Sequence, residues 1–151
     1  QAAEPLRIGY VFAMANAPVL IAEQQGYYQD EGLEVDVKAL GDGPVIQQAL
    51  AAGELDVAYV GTPPVYQWYA RGLKSVILAK VNYGQAAVLA GSHTDINSLG
   101  DPKSHKLAGV KKGSGMDVLL RGYVLQEHAG LDPDWDLDII DLPPRNLNAA
   151  L

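Results

Sequence analysis

The sequence contains no cysteine. Disulfides, thiolate metal sites, iron–sulfur clusters and cysteine nucleophiles are therefore excluded, and the absence is compatible with an exported protein. Long apolar runs are missing too. The best candidate, residues 13–22, is broken by Asn16 and Pro18 and falls short of the roughly 18 residues a spanning helix needs. Basic charge is scarce: 11 Lys and Arg stand against 18 Asp and Glu, a net charge of -7. The only adjacent basic pair is Lys111-Lys112. That balance opposes nucleic acid and anionic lipid, both of which are held through phosphate neutralisation. Neither a nucleic-acid partner nor direct membrane insertion is expected.

Familiar catalytic and phosphate-binding signatures are absent as well. Gly41-x-Gly43 leads to Ile46, and Gly113-x-Gly115 leads to Val118, so both fail the dinucleotide fingerprint. No Walker A loop, H-E-x-x-H or G-x-S-x-G occurs. The expectation is no catalytic residue, no metal and no cofactor.

What remains is a globular composition, 48% apolar and 19% charged over 151 residues, enough for one domain or parts of two. Leu6 to Tyr10 reads as a strand, and Pro18 to Gln25 as a helix stopped by Gly26. Leu33 to Leu40 alternates apolar and charged residues, the period of a strand with one polar face. Gly43-Pro44 opens a helix that Gly53 ends, with Pro44 at its first turn. Val57 to Val60 is the next strand, followed by a helix from Pro63 to Arg71 closed by Gly72. Val76 to Val81 predicts an apolar strand covered on both faces, and Ala86 to Ala90 is a further apolar run.

Beyond Gly91 the chain turns polar, with at most a weak helix at residues 96–99. The rhythm then restarts: strand Lys106 to Val110, helix Met116 to Ala129, strand Leu137 to Leu142. Ser114-x-x-Asp117 has the spacing of a capping box, Gly130 is the stop, and Met116, Leu119, Leu120, Tyr123 and Val124 predict an apolar stripe. The order predicts an α/β fold with parallel sheets and right-handed crossovers, in two similar halves. The ending Asn146 to Leu151 reads as an opening helical turn. The expectation is the N-terminal part of a longer protein.

Four strand-to-helix loops share one design: residues 11–17, 41–44, 61–64 and 113–115. In a parallel sheet such loops gather at one edge, and helix starts leave N–H groups unpaired and carry partial positive charge. Pro63 and Pro64 fix a helix direction and donate nothing; the Thr62 hydroxyl either caps the helix or serves a ligand. His128, near a helix end, has a structural reading; His93 and His105 lack metal-ligand spacing. Asp136 and Asp138, alternating with Trp135, Leu137 and Ile139, predict a solvated strand face. Of the aromatics near strand ends, Tyr10, Tyr59, Tyr66, Trp68 and Tyr69 fit packing roles, whereas Phe12 and Tyr83 follow strand C-termini and suit a ligand crevice.

Several stretches carry a family resemblance: "RIGY", "APVLIAEQQGYYQDEGLEVDV", "GDGPVIQQALAAGELDVAYVGTPPV" and "SLGDPKSHKLAGVKKGSGMDVLL". They resemble the solute-binding proteins of ABC importers, in the group handling nitrate, aliphatic sulfonates, taurine and pyrimidine precursors. Only "DPKSHK" departs from the usual pattern. The resemblance implies a two-lobed, hinged periplasmic-binding-protein fold: lobe one over residues 1–84, a connection at 85–91 and the start of lobe two at 92–151. It implies first-lobe ligand contacts from Phe12, Asn16, Gly43, Thr62 and Tyr83, and second-lobe contacts from Ser114, Gly115 and Met116. Arg145 reads as a surface residue. The implied partners are a small polar or anionic solute and a membrane permease, and the implied location is the periplasm or the outer face of the membrane. The alternatives are an enzyme on the same scaffold, of pyrimidine- or menaquinone-pathway type, and a sensing domain of a receptor.

Overall fold

The computed structural model describes residues 4–83, 86–101 and 106–151. The chain divides into two compact units, Gln1–Gln85 and Ala86–Leu151.

In the first unit, β1 (Leu6–Val11) is the middle strand of a three-stranded parallel sheet in the order β2-β1-β3. β2 (Val35–Leu40) pairs along its whole length, from Leu6 opposite Val35 to Val11 opposite Leu40. β3 (Val57–Tyr59) pairs with Ile8 to Tyr10. Helix α1 (Ala17–Gln24) and the short α2 (Tyr27–Asp30) connect β1 to β2; α3 (Gly43–Ala51) connects β2 to β3; α4 (Thr62–Ala70) follows β3.

Alternation along the strands sorts side chains into two cores. Ile8 and Tyr10 pack with Val19 of α1, joined by Val35, Val37, Val57 and Tyr59. The residues of opposite parity, Val11, Leu40, Ala58 and Val60, pack with Ile46, Ala49 and Leu55. Helices thus cover both faces, as right-handed crossovers to opposite sides of β1 require. Gly9 allows this second core to close: a Cβ there would run into Leu55 Cδ1 and lie 2.9 Å from Leu40 Cδ1.

The sheet is tied at its lower end by an ion pair. Arg7 forks onto Asp56 through Nε to Oδ2 at 2.9 Å and Nη2 to Oδ1 at 2.7 Å, while Nη1 donates to the Gly53 carbonyl at 2.6 Å. The Arg7 N–H also donates to Asp56 Oδ2 at 2.9 Å, and the Asp56 N–H donates to the Arg7 carbonyl at 2.9 Å. The Arg7 hydrogen bonds hold the Asp56 carboxyl down from an ordinary 3.8 to about 2.

The second unit holds a two-stranded parallel sheet of β4 (Lys106–Gly109) and β5 (Asp138–Asp141). Helix α5 (Gly115–Val118) runs without a break into a ten-residue segment, Leu119–His128, with wider i to i+5 bonding. Short turns at Pro144–Asn146 and Asn148–Ala150 follow.

Most expected elements are present within a residue or two, and Gly26, Gly53, Gly72 and Gly130 all take positive φ past helix ends. Four expectations need correction. The strand expected at residues 76–81 is not formed among the described residues, and Val76 is 79% exposed, because no neighbouring strand pairs with this run. Residues 96–99 form turns rather than a helix. The wider spacing after Val118 rotates the helix, so that Leu125 is buried while Met116, Leu119 and Tyr123 are exposed. Trp135 lies in a turn closed by Asp132, and β5 begins only at Asp138. His105 lies outside the described residues.

Two outcomes follow for stability. Gly9→Ala overpacks a close contact and should destabilise the protein by about 1–3 kcal/mol, read by urea unfolding. Asp56 is held below its unfolded value, so it stabilises above pH 4 or so and ceases to as pH falls towards about 2. The difference in Tm between wild type and Asp56→Asn should therefore be full at pH 7 and shrink steadily across that acidic window. An unchanged difference at pH 2 would contradict the assignment.

Candidate functional site

All three strands of the first unit run parallel, so their C-terminal ends open on the same sheet edge. The β1 and β3 exits flank the point where the strand order reverses, with β2 on one side of β1 and β3 on the other, the position where open α/β sheets take ligands.

Phe12 follows β1 directly and is exposed. The loop behind it is shaped by Asn16, a buried residue whose Nδ2 donates to the Val11 carbonyl at 2.8 Å. Asn82 Nδ2 donates to the Ala15 carbonyl at 2.7 Å, which brings the segment carrying Tyr83 to this loop. Tyr83 is exposed, with Lys80 Nζ 3.7 Å from its ring centroid. Asn16 and the segment carrying Tyr83 thus both bond to the loop that Phe12 opens.

Gly43 and Thr62 form a second pairing. Gly43 is the first residue of α3, and a Cβ on it would sit 3.3 Å from both Val60 and Pro64, so only glycine lets α3 approach the start of α4 this closely. Asp42 caps α3, its Oδ1 accepting the Val45 N–H at 2.9 Å. Gly61, not Thr62, is the cap residue of α4, and no side chain closes that helix start. The capping alternative for Thr62 is therefore corrected: helix formation begins at Thr62 itself, which is exposed.

The helix starts differ in what they leave to donate. Pro44, Pro63 and Pro64 have no N–H. Among the described residues, the N–H groups of Gly43 and Thr62 have no partner, nor has the Thr62 hydroxyl. Each helix start in the first unit is thereby reduced to a few donors held in fixed directions.

In the second unit, Ser114, Gly115 and Met116 follow the β4 exit. Ser114 is buried and caps α5, its Oγ accepting the Asp117 N–H at 3.3 Å. Its own N–H donates to the Lys111 carbonyl at 3.0 Å. The N–H groups of Gly115 and Met116 have no partner among the described residues. Met116 also borders an apolar hollow of about 380 Å³ inside this unit, lined by Leu89, Leu107, Leu120 and Val124 among others.

Sequence reasoning read Asp117 only as a capping-box partner and passed over Arg121. The Asp117 carboxylate accepts the Gly113 N–H at 2.8 Å and Arg121 Nε at 2.6 Å. The i, i+4 spacing of an acid and an arginine was the available signal. His128 packs edge-on against Tyr123, centroids 4.4 Å apart. Arg145 sits in an exposed turn. Among the described residues, no group of three potential ligands for a metal occurs.

Comparison with known proteins gives a consistent picture. The NMT1-like family matches residues 1–151. A candidate binding protein of Brucella abortus (strain 2308) is 29% identical over 147 residues, covering 97% of this chain and 44% of its own length. The alkanesulfonate-binding protein SsuA of Xanthomonas axonopodis pv. citri, bound to MOPS, superposes with a TM-score of 0.67 at 25% identity, covering 99% of this chain and 52% of that one. The periplasmic nitrate-binding protein NrtA of Synechocystis PCC 6803 superposes with a TM-score of 0.77 at 24% identity, covering 98% and 44%. The fold is that of part of a periplasmic binding protein, and the chain spans about half the length of these relatives.

The two hydroxyls should separate in a stability assay. Thr62→Ala removes a group that caps nothing and should leave unfolding free energy within about 0.5 kcal/mol of wild type. Ser114→Ala removes a cap and should cost ~1 kcal/mol. Equal losses in chemical denaturation would contradict the difference in their roles.

Proposed function

Because the chain belongs to the NMT1-like family, we propose that it is part of a solute-binding protein that captures a small polar or anionic solute outside the cytoplasm. The solute is handed to the membrane permease of an ABC importer, and no bond is made or broken. The observation carrying this reading is the set of helix starts whose N–H groups at Gly43, Thr62, Gly115 and Met116 have no partner among the described residues. Donors of this kind receive oxygen-rich anions without a basic side chain, each worth about 0.3–1 kcal/mol and up to about 2 when partly buried.

In this proposal Phe12 and Tyr83 supply apolar and aromatic contact, Asn16 fixes the loop, and Gly43 and Thr62 supply donors from the first unit. Ser114, Gly115 and Met116 contribute from the second. The first unit corresponds to lobe one, and residues 85–91 form the connection to lobe two. That one of these relatives binds alkanesulfonates and another nitrate supports sulfonates and nitrate as the first classes to test. Carboxylates and pyrimidines present similar acceptor edges and belong in the same panel.

Calorimetric titration of the full-length protein against these four classes tests the proposal. One class should bind with a Kd of about micromolar or tighter, and Thr62→Ala should weaken it roughly tenfold while leaving stability unchanged. A folded protein that binds none of the panel would overturn the reading.

A further inference from the structure

We propose that Arg121 sets the anion selectivity of the 113–116 turn without touching the solute, by cancelling the carboxylate around which that turn is built. The inference rests on the reading that the solute meets Ser114, Gly115 and Met116.

Asp117 is only 3% exposed. One carboxylate oxygen holds the Gly113 N–H at 2.8 Å, fixing a glycine at φ +87° that other residues would strain to adopt. The other holds Arg121 Nε at 2.6 Å, one helical turn further on. Asp117 N–H donates to Ser114 Oγ. The carboxylate therefore shapes the turn, and a negative charge suits a helix start. The same charge sits within one turn of the Gly115 and Met116 amides, where it opposes any incoming anion.

Arg121 removes that opposition. Its side chain is 16% exposed, so its charge is screened less than that of a surface arginine. Nη1 reaches Asp134 Oδ1 at 3.0 Å, and Lys112 Nζ approaches the same oxygen at 3.4 Å. The Lys112 N–H donates to Asp141 Oδ2 at 3.3 Å. The charges around the turn are thus Asp117, Asp134 and Asp141 against Arg121, Lys111 and Lys112. Only the Asp117–Arg121 pair is largely shielded from water on both sides; Asp134, Asp141, Lys111 and Lys112 are exposed, where water and salt weaken their effect. The balance at the amides is set by the buried pair.

Charge balance and simple scaffolding predict different signs. Loss of Arg121 leaves a bare carboxylate beside the donors, whereas loss of the Asp117 charge leaves a bare guanidinium. A scaffolding role weakens binding in both cases and for every solute.

The test is calorimetric titration of the full-length protein with methanesulfonate, nitrate and acetate as anionic probes and uracil as the neutral one. Arg121→Gln should weaken the anion that wild type binds by roughly tenfold and leave any uracil affinity within about twofold. Arg121→Lys should restore anion affinity to within about threefold, because the charge is kept. Asp117→Asn should bind the anion at least as tightly as wild type, although its Tm falls. Should Arg121→Gln fail to fold, Asp117→Asn still decides, since its anion affinity must not drop. Parallel losses in Arg121→Gln and Asp117→Asn, an unaffected Arg121→Gln, or wild-type binding of uracil alone would overturn the inference. In the first two cases the solute-binding reading survives; a folded wild type that binds no probe sinks both.

Discussion

The parallel pairing of β1 on both of its edges is the constraint from which the first unit follows. With β2 on one side and β3 on the other, the β1-to-β2 and β2-to-β3 crossovers run in opposite directions along the sheet and so place helices on opposite faces. Strand alternation then has to fill two cores rather than one, and Gly9 is small because the second core closes directly over it. The same pairing sends every strand exit to one edge. Phe12, Gly43 and Thr62 share that edge for a topological reason, independent of any attraction among them.

At that edge the chain withholds donors as carefully as it offers them. Prolines at 44, 63 and 64 delete N–H groups and Asp42 takes up the N–H of Val45; in the second unit, taken by itself, Ser114 takes up that of Asp117. What is left at each helix start is a small number of amides whose directions the helix axis fixes. Such donors need no reorganisation when a ligand arrives, so the ordering cost that a flexible Lys or Arg would incur is avoided. Buried side chains support the arrangement from behind: Asn16 shapes the loop after β1, and Asp117 shapes the turn after β4.

Much of this was legible in the sequence because it depends on local chemistry. Alternation over Leu33 to Leu40 gives β2, and glycines past the helix ends adopt the left-handed φ that their positions suggest. Ser114-x-x-Asp117 was half legible. The serine caps as its spacing implies, but the carboxylate reaches Gly113, because the Ser114 N–H is already engaged by Lys111 and the left-handed turn presents Gly113 instead. The failures concern information that is not local. An apolar run such as residues 76–81 has the composition of a strand whether or not another strand pairs with it. A stripe projected at 3.6 residues per turn misplaces the buried side once the bonding widens after Val118, as Leu125 demonstrates. The capping alternative for Thr62 fails by a single position, since Gly61 serves as the cap.

The proposed preference for anions must operate in a chain of net charge -7. The two are compatible because they act over different distances. Repulsion from dispersed surface carboxylates is screened beyond a Debye length of about 8 Å at physiological ionic strength. Hydrogen bonds from helix starts act at about 3 Å, in places where solvent is partly excluded. The carboxylates that matter are therefore those adjoining the donors, and Asp117, the most buried of these, is bound to Arg121 at 2.6 Å. A basic patch would attract every anion and polyanion indiscriminately. Fixed amides beside a neutralised carboxylate favour one small solute whose oxygens match their directions, and in that arrangement selectivity comes from geometry with charge merely kept out of the way.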